Sequence, residues 1–442
     1  MNPPRVYVII INWNGREHLD ACLGSLLAST MENVVFLLVD NASSDGSVDL
    51  VRKQFGADPR VEILTLKSNR GWSGGNNGGI RRALEGGADY IFLLNNDTAV
   101  APGALESMVS AMENDETLGA LAPRMLLFDQ PEILNSVGLS MSVIGAAWDR
   151  GIGRLDSARW HEPVPVIGAC GGALFVRASI LEKTGLLPED FEIYLDDLDL
   201  CLRIWAAGFW IRTCPEAVIR HKFSATMGQG ARARHKYYLN TRNRFRIVLR
   251  HFPMAKLSRA LPRLVAGEMR AMGRAVLSGD LWRIQVHFRA WCAALAYLPE
   301  ARRFRGVHGV VGTAPYWPLV LDTPLFCPQV VLPERGWYPP VTLKGERLRP
   351  VSRRATLEVP AGPLQVRLVN CYPALGPARV SLHAGDRCLA TLETAGAAEL
   401  QLDFSGGELT FQAESTFYLE DTEAAHDAGA WLQVTRDGIP VI

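Results

Sequence analysis

The chain has no Cys-x-x-Cys pair and none of the short cysteine spacings of a disulfide framework. Its eight cysteines, at 22, 170, 201, 214, 292, 327, 371 and 388, stand singly and mostly among apolar neighbours. That is the usage of buried thiols in a reducing compartment. No apolar run reaches the roughly 18 uncharged residues that a membrane span needs. No charged n-region or cleavage site precedes the first apolar segment, Val6 to Ile11, so no signal peptide is read and a cytoplasmic protein is expected. A Gly-x-Gly-x-x-Gly fingerprint and a Walker lysine are also missing, which argues against a dinucleotide-dependent dehydrogenase.

Net charge is absent as well, with 46 Lys and Arg against 46 Asp and Glu, but the balance is local rather than uniform. Residues 231–305 hold 17 Lys/Arg against three acids, Glu268, Asp280 and Glu300. A basic segment beside an acidic remainder suits a partner carrying phosphate or anionic lipid headgroups. Hydrophobic content of 48% with 21% charged residues is that of a folded protein, and 442 residues exceed one ordinary core.

What is present centres on Asp89-Tyr-Ile-Phe-Leu-Leu-Asn-Asn-Asp97-Thr98. The unbroken run Ile91 to Leu94 reads as a strand buried on both faces of a parallel sheet. It stops at Asn95-Asn96-Asp97, with Pro102 suited to the first turn of the next helix. A carboxylate at the end of such a strand lies where open α/β sheets bind ligands, and it suits a hard cation that grips phosphate oxygens. A plain polar turn is the competing reading.

The same pattern recurs upstream. Strands at Val6–Ile11, Val34–Val39 and Val61–Leu66 alternate with helical segments, which implies a parallel sheet with right-handed crossovers. Each strand ends in Asn, Asp, Gly and Ser: Asn12-Trp-Asn14-Gly15, Asp40 to Ser47, and Asn69 to Gly78. One polar strand end is a turn, whereas four on one sheet edge make a site. The glycines of 71–79 are expected to let backbone approach a ligand.

Val8-Ile-Ile-Ile-Asn-Trp-Asn14, Val39-Asp-Asn-Ala-Ser-Ser-Asp-Gly-Ser47, Asn69-Arg-Gly-Trp-Ser-Gly-Gly-Asn-Asn-Gly78 and Leu94-Asn-Asn-Asp97 resemble family 2 glycosyltransferases of the GT-A fold, in particular the rhamnosyltransferase-like branch. The resemblance covers residues 5 to about 250 and implies a nucleotide-sugar site. Asp40 matches the aspartate that hydrogen-bonds the donor base, with Asn12 and Asn14 beside it. Asn69, Gly71 and Asn76 match the nucleotide-facing loop. Asn95, Asn96 and Asp97 stand at the Asp-x-Asp position, whose last carboxylate binds Mg²⁺ or Mn²⁺. The first acid of that motif is Asn here, so either metal affinity is weaker or a second ligand comes from elsewhere.

Further along, strands are expected at Leu118–Phe128 and Met141–Trp148. Val166 to Arg177 joins a glycine pair, Gly171-Gly172, to a buried strand. By itself the pair is a tight turn; the resemblance has this segment facing donor and acceptor sugars. Leu198, Leu202 and Trp205 recur at helical spacing, which sets Asp196-Asp197 in a helix's first turn. Acids are electrostatically welcome there. Three carboxylates within four positions exceed that need, and clustering raises their pKa toward the range of a general base. The resemblance gives the base role to Asp197, with Asp196 beside it, while Asp199 and Arg203 read as a structural pair. Two short strands are expected at Trp210–Cys214 and Ala217–His221. A lone His after a strand is commonly a satisfied or exposed side chain; an imidazole at 221 would make up for the missing acid, and the resemblance to the family's strand-end His implies His221 as the second metal ligand.

From His235 to about Phe304 the chain reads as helices, and the Tyr238-x-x-x-Arg242-Asn243 element belongs to the resemblance. Their basic faces suit either an anionic membrane surface or a solvated helical cap; no nucleic-acid-binding motif accompanies the charge. Short alternating strands from Thr356 to Val434 read as a β-sandwich, entered through Gly336-Trp-Tyr-Pro-Pro340. The expected division is 1–230 catalytic, 231–305 basic helical extension, 306–336 linker and 337–442 β-sandwich.

The expected function is inverting transfer of a sugar, with rhamnose the candidate, from a dTDP- or UDP-linked donor. The acceptor is a hydroxyl of a glycan or lipid-linked acceptor in cell-surface polysaccharide assembly, reached by a cytoplasmic protein peripheral on the inner membrane face. The alternatives are a nucleotidyltransferase acting on sugar phosphates and a non-catalytic glycan-binding protein.

Overall fold

A computed structural model describes residues 3–222, 231–308, 315–322, 341–343, 346–351, 354–359, 361–370, 377–413, 430–436 and 439–440. The expected Gly336–Pro340 segment, Cys327, Cys371 and most of the 306–336 linker lie outside them. The chain forms two compact units, one holding most residues up to 327 and the other most of those from 328, with 132–134 and 152–156.

The first unit is built on β1 (Val6–Asn12), α1 (Arg16–Leu27), β2 (Val34–Asp40), α2 (Ser47–Gln54), β3 (Val61–Thr65), α3 (Gly71–Glu85) and β4 (Tyr90–Asn95). These four strands are parallel in the order β3-β2-β1-β4. All seven residues of β1 and of β2 are buried. Alternate side chains feed two separate cores: Tyr7, Ile9, Ile91 and Leu93 pack on one face, and Val8, Ile10, Phe92 and Leu94 on the other. Burial on both faces is why these strands read as continuous apolar runs.

After β4 come β5 (Thr98–Val100), α4 (Ala104–Glu113), β6 (Leu118–Leu127), β7 (Leu134–Ser136), β8 (Leu139–Ser142), β9 (Ala147–Asp149), β10 (Ala173–Arg177), α5 (Ala178–Thr184), α6 (Asp196–Ala206) and β11 (Trp210–His221). The sheet continues β4-β10-β6-β11-β5, and β10 runs antiparallel to both its neighbours. The whole is a mixed α/β sheet with helices on both faces, within the α/β class expected. Helices α7 (Ala231–His251), α8 (Met254–Leu277), α9 (Leu281–Ala296) and α10 (Leu298–His308) complete the unit.

Three expectations change. The run 141–148 is a hairpin, β8 pairing antiparallel with β9, because Gly145 takes a left-handed φ of 74° and reverses the chain. The two strands expected over 210–221 are one, with a register shift between Cys214 and Val218 that absorbs Pro215 and its neighbours. The glycines of 71–79 lie within α3. A Cβ on Gly75 would fall 2.3 Å from Ile11 Cδ1, and one on Gly79 2.6 Å from Ile9 Cγ2. Gly75 and Gly79 bring the helix close to the sheet.

Among its described residues the second unit pairs its strands antiparallel. One sheet pairs Gly362–Val369 with Ala397–Phe404 and Ala430–Arg436; the other pairs Arg354–Val359 and Ala378–Ala384 with Gly407–Ala413. Val366, Leu368 and Leu432 of one sheet share a core with Val380, Leu382 and Phe411 of the other, as in a sandwich. Arg387–Thr394 is a strand the sequence reading passed over; it follows the tight Gly385-Asp386 turn.

Phe92 is fully buried, its ring centroid 6.0 Å from that of Phe175. Phe92→Ala is expected to cost about 3–5 kcal/mol, read as a lowered urea midpoint with the slope unchanged.

Candidate active site

The parallel register brings the polar strand ends level, Asn12 opposite Asp40 and Ile11 opposite Asn95. Asn12 is the hub. Its Nδ2 donates to Asp40 Oδ1 at 3.2 Å and Ser43 Oγ at 3.1 Å, and its Oδ1 accepts from Asn96 Nδ2 at 2.6 Å. Asn14 sits at φ 51°, where its Oδ1 accepts from Ser44 N at 2.8 Å. Asn41, which the sequence reading left unassigned, donates to Asn69 Oδ1 at 3.0 Å and to the Gly71 carbonyl at 2.9 Å. Asn69 Oδ1 in turn accepts from Gly71 N at 2.8 Å. Asn76 is buried in α3, with Nδ2 on the Trp72 carbonyl at 3.0 Å and Oδ1 without a hydrogen-bond partner.

Asp97 follows the β4 turn, and β11 pairs with β5 so that His221 lies opposite Thr98. This brings His221 Nε2 to 3.2 Å from Asp97 Oδ1. The approach lacks hydrogen-bond direction, so Oδ1 is buried without a donor. The other imidazole nitrogen, Nδ1, lies 2.5 Å from Asn135 Oδ1. A proton on Nδ1 satisfies that amide oxygen and leaves a lone pair on Nε2, the state of a metal-binding imidazole. A lone pair facing an unpartnered carboxylate oxygen fits a hard cation. Among the described residues no cluster of three or more His, Cys, Asp or Glu is arranged for metal binding, so this pair would leave most coordination positions to other ligands.

The second acidic cluster opens α6. Asp197 Oδ2 accepts from Gly171 N at 2.8 Å and Oδ1 from Leu198 N at 2.8 Å, while Asp196 Oδ2 accepts from Ser73 Oγ at 2.5 Å. Burial, reinforced by the neighbouring Asp196, pushes Asp197 up to about 7. Burial likewise pushes Asp196 up to about 6. Burial works on Asp199 too, but Arg203, His251 and Arg250 outweigh it and hold that carboxylate far below the usual range. Arg203 Nε reaches Asp199 Oδ2 at 3.0 Å, the expected structural pair.

The two clusters are joined. Trp72 Nε1 donates to Asn95 Oδ1 at 3.1 Å, and Asn95 N donates to the Gly172 carbonyl at 3.0 Å. A Cβ on Gly171 would fall 2.7 Å from Trp72 Cη2 and 3.3 Å from Asp197 Cβ; the glycine pair is thus a close crossing of three segments. Asp149, unremarked in the sequence, lies between the clusters. Burial raises its pKa, its charge acts on both His221 and Asp197, and its Oδ1 has no hydrogen-bond partner. Nothing in the local pattern at the end of β9 marks this residue.

The segment before Asp196 is held from α7. Glu192, Tyr194 and Leu195 all have left-handed φ, at 66°, 71° and 61°. Such residues cost of order 1–3 kcal/mol each unless the surroundings impose them. Asn243 Nδ2 meets the carbonyls of Phe191, Ile193 and Tyr194 at 2.9, 3.0 and 2.9 Å. Arg242 donates to the carbonyls of Asp190 and Phe191 at 3.1 and 2.9 Å and to Glu192 Oε1 at 3.0 Å. Both side chains are buried.

Residues 7–183 match the family model described as Glycosyl transferase family 2. That span takes in Asn12, Asp40 and Asp97 and ends before Asp197 and His221. The chain is 28% identical over 240 residues to an N-acetylglucosaminyl-diphospho-decaprenol L-rhamnosyltransferase of Mycobacterium tuberculosis, covering 50% of this chain and 76% of that protein. It is 26% identical over 247 residues to a low-salt glycan biosynthesis hexosyltransferase of Haloferax volcanii, covering 54% and 73%. Among solved structures, GalNAc-T7 with UDP, GalNAc and Mn²⁺ is similar at 15% identity and a TM-score of 0.49, over 70% of this chain and 59% of that one.

Asn243→Ala leaves the left-handed segment without its amide clamp. The expected outcome in a steady-state transfer assay is a kcat lowered about tenfold or more, for a lost constraint of about 1–3 kcal/mol, with donor KM little changed. Because Asp197 accepts protons up to about pH 7, the wild-type rate is expected to rise with pH through neutrality. The variant's rising limb should move toward lower pH as Asp197 becomes hydrated.

Proposed function

The first unit of this chain carries a family 2 glycosyltransferase domain, and on that premise we propose inverting transfer of a sugar from a nucleotide-diphosphate donor to an acceptor hydroxyl. The observation that carries the reading is the hydrogen-bonded path from the Asp97 turn through Asn95 and the glycine pair to Asp197. A cation-binding carboxylate and a proton-accepting one then face a single reaction centre.

Asp97 Oδ1 and His221 Nε2 are the groups that would hold Mg²⁺ or Mn²⁺. A divalent cation bound there neutralises charge on the leaving diphosphate. Asn12, Asn14, Asp40, Asn69, Gly71 and Asn76 form the nucleotide side of the site, Asp40 taking the base, with Asn95, Asn96, Gly171 and Gly172 toward the sugar. The amides of Gly171 and Leu198 fix the rotamer of Asp197. Its near-neutral pKa suits it to take the acceptor hydroxyl's proton as that oxygen bonds to the anomeric carbon and the bond to the diphosphate breaks. Asp196, tied to Ser73, couples this base to the nucleotide-facing helix. One in-line displacement inverts the anomeric centre.

We further propose a dTDP- or UDP-linked donor with rhamnose as the sugar, and a glycan or lipid-linked acceptor in cell-surface polysaccharide assembly; the mycobacterial similarity supports rhamnose and the lipid-linked acceptor. A cytoplasmic protein, peripheral on the inner membrane face, is supported by six described cysteines that are all free thiols and by the basic helices, for which an anionic membrane surface is the proposed partner. No described helix is long and apolar enough to cross a membrane. The catalytic division is taken as 1–230 with the helical extension at 231–305, a linker at 306–336 and a β-sandwich domain at 337–442.

Asp197→Asn is expected to lower transfer about 10²–10⁴-fold, the worth of a general base, while calorimetric binding of UDP or dTDP is retained. Transfer at the wild-type rate by this variant removes the base assignment. Asp97→Asn and chelation of the wild type are expected to weaken donor binding in parallel, with Mn²⁺ restoring only the wild type. NMR of the product sets its anomeric configuration opposite to that of the donor.

A further inference from the structure

Helices α8 and α9 are joined by Ser278-Gly279-Asp280, and their apolar residues do not all face inward. At the tip of this hairpin Val276, Leu277 and Leu281 are 58%, 89% and 62% exposed. The apolar stripe continues along α9 at Phe288 and Leu295, seven residues apart and 63% and 69% exposed. On α8 the exposed arginines 259, 263, 270 and 274 recur at helical spacing on one flank, while Val265, Met269 and Val276 occupy the other. Residues 254–296 hold seven Lys and Arg against two acids. One of these acids is buried and the other offsets only Arg283, while Arg263 pairs with Asp322 at 2.8 Å. Glu268 is buried against Arg244 and His287, and Asp280 pairs with Arg283 at 3.5 Å.

We propose that the tip of the α8–α9 hairpin inserts into the headgroup region of an anionic bilayer, with Val276, Leu277 and Leu281 as the wedge and Arg270 and Arg274 on lipid phosphates. The pairing of an apolar ridge with a basic one is the surface chemistry of an interfacial helix. Anionic lipid attracts each nearby arginine while the leucines leave water. A second copy of the chain is disfavoured by charge, since it would set two faces of the same sign against each other. This deepens the membrane partner named above and does not depend on the transferase chemistry.

The test is co-flotation of the full chain with vesicles of phosphatidylglycerol and phosphatidylcholine, against vesicles of phosphatidylcholine alone. The expected result is capture by the anionic vesicles only, released by raised salt. The double variant Leu277→Glu, Leu281→Glu should lose about tenfold or more in vesicle partition, with the circular dichroism spectrum and the rate on a soluble acceptor unchanged. Arg270→Gln with Arg274→Gln should lose selectivity for the anionic vesicles. Equal capture by both vesicle types, no capture, or wild-type capture of the leucine variant overturns the proposal. So does a wild-type dimer that this variant dissociates. Vesicle capture by a protein that transfers no sugar would leave this inference standing and remove the transferase reading.

Discussion

Two backbone amides on one carboxylate organise the candidate site. Gly171 and Leu198 each donate to an oxygen of Asp197 at 2.8 Å, one from the glycine turn before β10 and the other from the first turn of α6. A side chain on Gly171 would meet Trp72, so the amide reaches the carboxylate only because the residue is glycine. The Trp72 indole then holds Asn95, and the Asn95 amide returns to Gly172. The loop closes on the strand end that carries Asp97. Loss of any one contact displaces the others, because interiors packed this closely shift as units.

Burial alone does not set the protonation of the α6 carboxylates. Asp196, Asp197 and Asp199 are all enclosed, yet the first two are raised and the third is held low. Partners decide the difference: neutral donors serve the first two, whereas Arg203, Arg250 and His251 surround Asp199. The cationic cluster also anchors α7 to α6, from which Arg242 and Asn243 fix the left-handed segment. Carboxylates pushed up and a carboxylate held low thus occupy one helical turn.

Much of this was legible in one dimension. The unbroken apolar runs at Val6 and Ile91 marked strands buried twice over, and their Asn and Asp endings marked the edge where these polar side chains gather. The Asp199–Arg203 pair followed from helical spacing alone. Other features gave no local sign. The hairpin over 139–149 looked like one strand because its apolar residues are nearly continuous, and a single glycine turned it. The segment 71–78 looked like a loop but is the start of α3, where Gly75 and Gly79 allow close approach to the sheet, a use that composition does not reveal.

The amino-acid order by itself determined which segments became strands and helices and which polar residues closed each strand, because periodicity and strand-end composition are properties of neighbours. Tertiary structure decided which of those ends meet. His221 lies beside Asp97 because β11 pairs with β5, and Asn135 orients its ring from another segment. Asp149 enters the site from an element with no motif of its own, and Asn243 reaches it only because α7 packs over the segment before Asp196. Such contacts depend on strand order and on the hand of the crossovers, and those are resolved only when both faces of the sheet must be buried at once.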